Sequence, residues 1–347
     1  MSTNPLMDPD TPMRLSRADL LLRASRHPLA QRTQRGLHAA GVKAESPVVC
    51  CVSGGGDSMA MLVLVAALRE RTSATLKGFS VLAIDHGLRA DNRREAEHAI
   101  ALARFLGVQR AEIRRVMLAE TGNILDAARA ARLQATREFA VSVGAQQVLL
   151  AHQSDDRAEG LLLALKRGAG IDAAACLVPV RAMEGGVADQ LVLCRPMLAM
   201  RRSELRAFLS EMQLTWCEDP SNTLRSRGAI RGDPSLAALC EEIAAGAGAM
   251  VEETAALCAL RDELLDQLVP RSQTTLTRES FESLPKAIQS EALARLVRAA
   301  GGGATRAILD AALQGTAAME RRPRTFACQG GVVLRIDARE IAALTSD

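Results

Sequence analysis

The stretch PVVCCVSGGGDSMAMLVLVAALRE, residues 47–70, sets the fold. Its first seven residues form an apolar run bounded by Pro47 and Gly54, the pattern of a buried strand. From Ser58 onward the chain is apolar nearly all round for a helical length, which predicts an interior helix. Between the two stand Ser53, Gly54, Gly55, Gly56, Asp57 and Ser58. A strand, a glycine turn and a helix in succession set backbone N–H groups at a helix N-terminus, beyond the carboxyl end of the strand. That is an anion site. Two phosphate loops are excluded: the Walker loop needs a lysine that is missing here, and the dinucleotide GxGxxG is broken by Asp57 and Ser58. A carboxylate in such a loop repels a bare phosphate, so Asp57 predicts a Mg²⁺ between them.

Outward from this stretch, strands and helices alternate. Strands are expected at 79–87, 111–117, 146–152 and 190–198. Helices are expected at 91–107 (Asp91 as N-cap, Gly107 as stop), 123–144, from Asp155, and at 202–214. Such βαβ units predict an α/β fold with a doubly wound parallel sheet and helices on both faces. Residues 1–27 read as a loose tail, and 28–217 as the sheet domain opening with a short helix at 28–42. The Pro-, Ser-, Gly- and Arg-rich segment at 218–234 reads as a linker. Residues 235–347 read as a smaller, mostly helical domain with helices at 235–268 and 285–314. A small hairpin is expected within 324–336, turning at Gly330–Gly331.

Composition narrows the class. No apolar run approaches the length that spans a bilayer, and the first 25 residues, with Pro5, Asp8, Asp10 and Pro12, lack a signal peptide's apolar core. The expectation is a cytoplasmic protein without a membrane partner. The eight cysteines contain no CxxC pair, which predicts reduced, mostly buried thiols and no cysteine metal site. Net charge is +3, yet lysine occurs only four times, so 39 of the 43 cations are arginine. Arginine suits phosphates and bases, although a GC-rich coding sequence produces the same bias. With no tyrosine, one tryptophan and six phenylalanines, stacking platforms for single strands are scarce.

SGGGDS (53–58) matches the SGGxDS signature of the N-type ATP pyrophosphatases, the PP-loop enzymes. DHGLR (85–89), GN (122–123) leading to ARAAR (128–132), AHQSDDRAE (151–159), LKRGAGI (165–171), RPML (195–198) and EDPSN (218–222) follow in order. Together they resemble tRNA(Ile)-lysidine synthetase over about residues 46–232. The resemblance implies ligation of free lysine to C2 of the wobble cytidine of a tRNA(Ile) with a CAU anticodon. The route passes through an adenylated cytidine and releases AMP and pyrophosphate.

By the same resemblance, Ser53 to Ser58 hold the pyrophosphate end of ATP, with Asp57 on Mg²⁺. His86, Gly87 and Arg89 lie beside the nucleotide. Asp155 and Asp156 face the cytidine and the incoming lysine, where a carboxylate could hold the ammonium and accept its proton. Arg129, Arg132 and Arg167, with Arg227 and Arg231 further on, could meet phosphates or the substrate carboxylate. Glu159 lies one helical turn after Asp155, so both can face one cleft. A plain alternative is that Asp155 or Asp156 caps a helix. His152 could polarise the base or simply end its strand.

The chain also departs from the family pattern. Asp85 stands for the usual Asn, Gln153 for a second His, Arg157 for Gln, Gly160 for Thr, Leu125 for Glu, Leu133 for an aromatic and Gly228 for Asn. These changes surround the substrate side and leave the loop intact. Two alternatives stay open on that account: a PP-loop enzyme with a different RNA or small-molecule substrate, and a non-catalytic nucleotide- or RNA-binding relative.

Overall fold

The structure is a computed structural model and describes residues 15–43, 46–71, 78–85, 90–116, 124–175, 177–183, 191–218, 226–317 and 323–345. The chain divides into two units, Met1–Leu163 with Cys176–Val251, and Ala164–Ala175 with Glu252–Asp347.

In the first unit, helices α1 (Arg17–Arg26) and α2 (Pro28–Ala39) precede strand β1 (Val48–Val52) and helix α3 (Gly56–Arg71). There follow β2 (Phe79–Asp85), α4 (Ala90–Phe105), β3 (Arg110–Arg115), α5 (Ile124–Ser142), β4 (Gln147–Leu149) and α6 (Ser154–Lys166), whose last turn belongs to the second unit. After α7 (Ile171–Ala174, also in the second unit) come β5 (Val180–Ala182), β6 (Val192–Cys194), α8 (Arg202–Glu211), α9 (Ser226–Gly232) and α10 (Pro234–Leu268). Among the described residues the sheet runs β3-β2-β1-β4-β6-β5, parallel except at the edge pair β5–β6. The doubly wound parallel sheet is therefore present. β5 was not expected: three exposed residues give too short a pattern to read.

The strand order places the site. From β1 the chain winds outward through β2 to β3, then returns to lay β4 on the other flank of β1. Cys50 pairs with Leu82's neighbour Val81 on one side and with Leu149 on the other. Crossovers leave β1 and β4 in opposite directions, so a crevice opens at their carboxyl ends. The loops that follow them are 53–55 and 150–153.

Helix α3 is buried all round from Ser58 to Leu68, as its uniform apolarity predicts. Helices α1, α2 and α8 pack against it. Each Leu or Met so enclosed gains about 1.5–3 kcal/mol over exposure. The expected tail at 1–27 needs correction at its end. Ser16 caps α1, accepting from the Asp19 N–H at 3.1 Å, and Leu20, Leu21 and Ala24 are buried at helical spacing. The polar residues before them masked that pattern. Residues 1–14 lie outside the described residues.

The 218–234 segment is not wholly irregular either, since α9 occupies 226–232 and α10 starts at Pro234. The division between units falls inside α10, after Val251. One helix among the described residues, α10, is long and apolar enough by length and composition to cross a membrane. The helix carries Glu241, Glu242, Glu252 and Glu253, and a single helix passing this test is weak evidence for a span.

The second unit carries β7 (Thr275–Thr277), α11 (Arg278–Ser283), α12 (Lys286–Ala299), α13 (Arg306–Ala317), β8 (Arg324–Ala327), β9 (Val332–Ile336) and β10 (Glu340–Thr345). The expected hairpin is β8–β9, with Gly330 and Gly331 at φ 75° and 69°. It is half of an antiparallel sheet ordered β7-β10-β9-β8, so this unit is less helical than its sequence suggested. The 285–314 stretch breaks after α12, where Gly301 takes a φ of 85°.

Candidate active site

The glycine turn leaves β1 at Ser53 and becomes α3 at Gly56. Gly54 sits at φ 79°, and a Cβ there would meet the Glu95 carbonyl oxygen at 2.7 Å. A Cβ on Gly56 would meet the indole of Trp216 at 3.2 Å. Two serines brace the turn: the Ser58 hydroxyl donates to the Gly55 carbonyl at 2.9 Å and accepts from the Ser53 N–H at 3.1 Å. From outside, the Cys217 N–H donates to the Gly54 carbonyl at 2.9 Å. The first turn of α3 leaves backbone N–H groups without helical partners, and these with the helix dipole favour an anion.

The Trp216 indole is fixed in turn. Its Nε1 donates to Glu218 at 2.7 Å, and Arg206 of α8 forks onto the same carboxylate at 2.9 and 3.2 Å. Although burial pushes the Glu218 carboxyl up, the bonds from Arg206 and Trp216 bring it below its usual value.

Across the crevice, α6 begins with Ser154, Asp155 and Asp156, all buried. Asp155 is covered by donors: Arg201 Nη2 reaches Oδ1 at 2.9 Å, Arg201 Nε lies 3.2 and 3.3 Å from the two oxygens, and the Arg202 N–H reaches Oδ2 at 2.8 Å. Burial raises its pKa, but these bonds outweigh it and leave the carboxyl lowered. Asp156 accepts the Gln153 N–H on Oδ2 at 3.1 Å, while Oδ1 sees Arg231 at 3.3 Å and Arg202 at 3.5 Å. Glu159, 1% exposed, takes Arg202 at 3.0 Å and a fork from Arg231 at 2.7 and 2.8 Å. Arg202 also approaches Asp57 to 3.9 Å, so one guanidinium touches carboxylates on both sides of the crevice.

Asp57 is the least satisfied of the four acids. Its Oδ1 is buried without a hydrogen-bond partner. Burial first, and then the nearby charge of Asp156, push its pKa up to about 6, against the pull of Arg202, Arg206 and Arg231. A hard anionic oxygen short of a partner fits a divalent cation. No group of three or more His, Cys, Asp or Glu that could hold a metal exists among the described residues, so such an ion would need further oxygens from a bound phosphate.

The sequence singled out Ser53 to Ser58, Asp155, Asp156, Glu159 and Arg231, and the structure gathers them round this crevice. His86, Gly87 and Arg89 lie outside the described residues, as do the side chains of Arg129 on α5 and Arg227 on α9. Arg132 is exposed on α5; burial pushes the Cys51 thiol up to about 12, with Thr136 and Arg132 pulling the other way. Arg167 is exposed and belongs to the second unit. His152 accepts on Nδ1 from Arg195 Nε at 3.3 Å. Among the described residues, Cys50, Cys51, Cys194, Cys240, Cys258 and Cys328 are free thiols.

The sequence reading missed Arg201, Arg202, Arg206 and Trp216. A signal existed for the first two: an arginine pair opening a helix stands at the wrong end of its dipole and calls for carboxylates nearby.

A family profile described as "PP-loop domain" matches residues 27–233. The tRNA(Ile)-lysidine synthase of Ruegeria pomeroyi is 34% identical over 268 residues, covering 73% of this chain and 60% of that protein. The enzyme of that name from Novosphingobium aromaticivorans is 33% identical over 262 residues, covering 74% and 76%. The chain spans 36% to 60% of the length of four curated relatives, that of Ruegeria pomeroyi among them. Among solved structures, the U34-tRNA thiolase NcsA of Methanococcus maripaludis with its [4Fe-4S] cluster aligns at a TM-score of 0.50 and 14% identity, over 68% of this chain and 80% of that one. That likeness concerns the fold alone.

Proposed function

The chain belongs to the PP-loop family, and within it to the tRNA(Ile)-lysidine synthases, and from this premise we propose that it joins free lysine to C2 of the wobble cytidine of tRNA(Ile). The observation that carries the reading is the facing of the glycine turn after β1 and the acids after β4 across one crevice, with Arg202 touching both. In the first step the cytidine O2 attacks the α-phosphorus of ATP and pyrophosphate leaves. The turn of Ser53 to Ser58 and the N-terminus of α3 receive the departing phosphates. In the second step the lysine amine attacks C2, and AMP leaves with the former O2.

Asp57 would hold the Mg²⁺ through its unpartnered Oδ1. When bound, such an ion neutralises phosphate charge and makes pyrophosphate a better leaving group. Asp156 and Glu159 form an acidic wall suited to an ammonium, and Asp156 has the more loosely held oxygen to accept the proton released at C–N bond formation. Arg231 and Arg202 counter the excess negative charge until substrate arrives.

The test incubates the protein with ATP, lysine and tRNA(Ile) bearing CAU, then analyses the nucleosides by mass. A nucleoside heavier by lysine less water, and AMP release that needs tRNA and lysine together, are expected. AMP formed with another acceptor only would assign the crevice to a different substrate; ATP bound with no turnover would make the protein a binder.

A further inference from the structure

We infer that Asp155 is a positioning residue that pins the N-terminus of α8, and so the reach of Arg202, and does not itself meet substrate. Only the kinetic part of its test rests on the lysidine reading.

The argument begins with lone pairs. An ionised carboxylate offers about four acceptor sites on its two oxygens. In Asp155 both oxygens are engaged by Arg201 and by the Arg202 N–H, at 2.8 to 3.3 Å, and the residue is 7% exposed. An incoming ammonium finds no free oxygen. Asp156, one residue on, keeps Oδ1 for two guanidinium contacts of 3.3 and 3.5 Å, which a substrate cation could replace.

Arg202 opens α8, so its N–H has no partner within that helix. Asp155 supplies the missing acceptor from α6, while its own N–H goes to Gln153 Oε1 at 2.6 Å. Two helix N-termini thus converge on one carboxylate, and each favours its negative charge. Arg201 adds a tether, its Nη1 donating to the Glu241 carbonyl at 3.1 Å. With its backbone held there, Arg202 extends to Glu159, Asp156 and Asp57 at 3.0, 3.5 and 3.9 Å. Releasing the backbone would move this guanidinium away from acids on both sides of the crevice.

The experiment compares D155N, D155A, R201M, D156N and the D155N/R201M pair in the full chain. Asparagine can still accept the Arg202 N–H but loses the charge that holds Arg201. D155N and R201M should each lower kcat about tenfold, leaving the lysine KM and the pH profile in place. The pair should cost no more than R201M alone, in kcat and in Tm, since both substitutions break one clamp and R201M already removes the Glu241 tether. D155A, with no acceptor, should lose about a hundredfold, and D156N should lose more than that. A raised lysine KM or a shifted acid limb in D155N would make Asp155 a substrate ligand or base. Additive Tm losses in the pair would also overturn the inference, whatever reaction is measured. Should the wild type make no lysidine, the functional reading falls, and the Tm cycle still decides this one.

Discussion

Arg231 forks onto Glu159, Nε donating at 2.7 Å and Nη2 at 2.8 Å, so α9 is bound to α6 through the most buried carboxylate of the crevice. Removing Arg231 takes away both bonds of this fork and leaves the buried Glu159 carboxylate with Arg202 alone to balance it. Arg231→Met should therefore cost about 3 kcal/mol in urea denaturation. Adding Glu159→Leu should restore most of that stability while leaving activity lost. A double variant as unstable as the single one would show that the pair does not act as a unit.

Asp57 gives a pH signature. Its folded pKa, about 6, lies above the 3.8 of an unperturbed aspartate. The folded state therefore holds this proton more tightly than the unfolded state. The associated stability is fully present below pH 3.8 and is lost as pH rises through about 6. Asp57→Asn, which cannot ionise, should be more stable than wild type at pH 8 by about 1–3 kcal/mol, with the gain gone below about pH 4. The same variant should fail to release AMP. Thermal denaturation at the two pH values and a nucleotide assay check both halves.

Gly54→Ala should injure the loop from two directions. The φ of 79° suits glycine, and the new methyl would press on the Glu95 carbonyl. A loss of at least about 1–3 kcal/mol is expected, with ATP affinity falling more than stability alone accounts for. Calorimetry on the folded variant measures the second effect.

Trp216 is the sole tryptophan and lies against Gly56 at the head of α3. ATP alone should change its fluorescence, with neither tRNA nor lysine added. Glu218→Gln, which weakens the Arg206 and Trp216 bonds to that carboxyl, should alter the emission before any nucleotide is present. Emission indifferent to saturating ATP would remove the nucleotide from this loop.

The parallel sheet was legible because β1 and α3 are written in uniform apolar runs on either side of glycine. The same holds for the loop, whose residues are contiguous. What escaped reading depends on distant pairing. Arg201 and Arg202 acquire meaning only when α8 is laid beside α6, and β5 and β7 are three-residue strands whose identity comes from their neighbours. In Asp155 and Asp156, adjacent letters of one type take different surroundings, since successive helix positions point about 100° apart. A motif names both, and geometry separates their donors.

The bond from the Cys217 N–H to the Gly54 carbonyl has a consequence for biosynthesis. During translation the glycine motif emerges early, together with the strand and helix that flank it. Its brace, the Trp216 wall and the arginines of α8 are made only after the whole β2-to-β6 segment has been translated. A nascent chain halted before Cys217 would carry the signature without the finished turn. Contacts this far apart in sequence form late and slowly, so this crevice is among the last features of its unit to be completed.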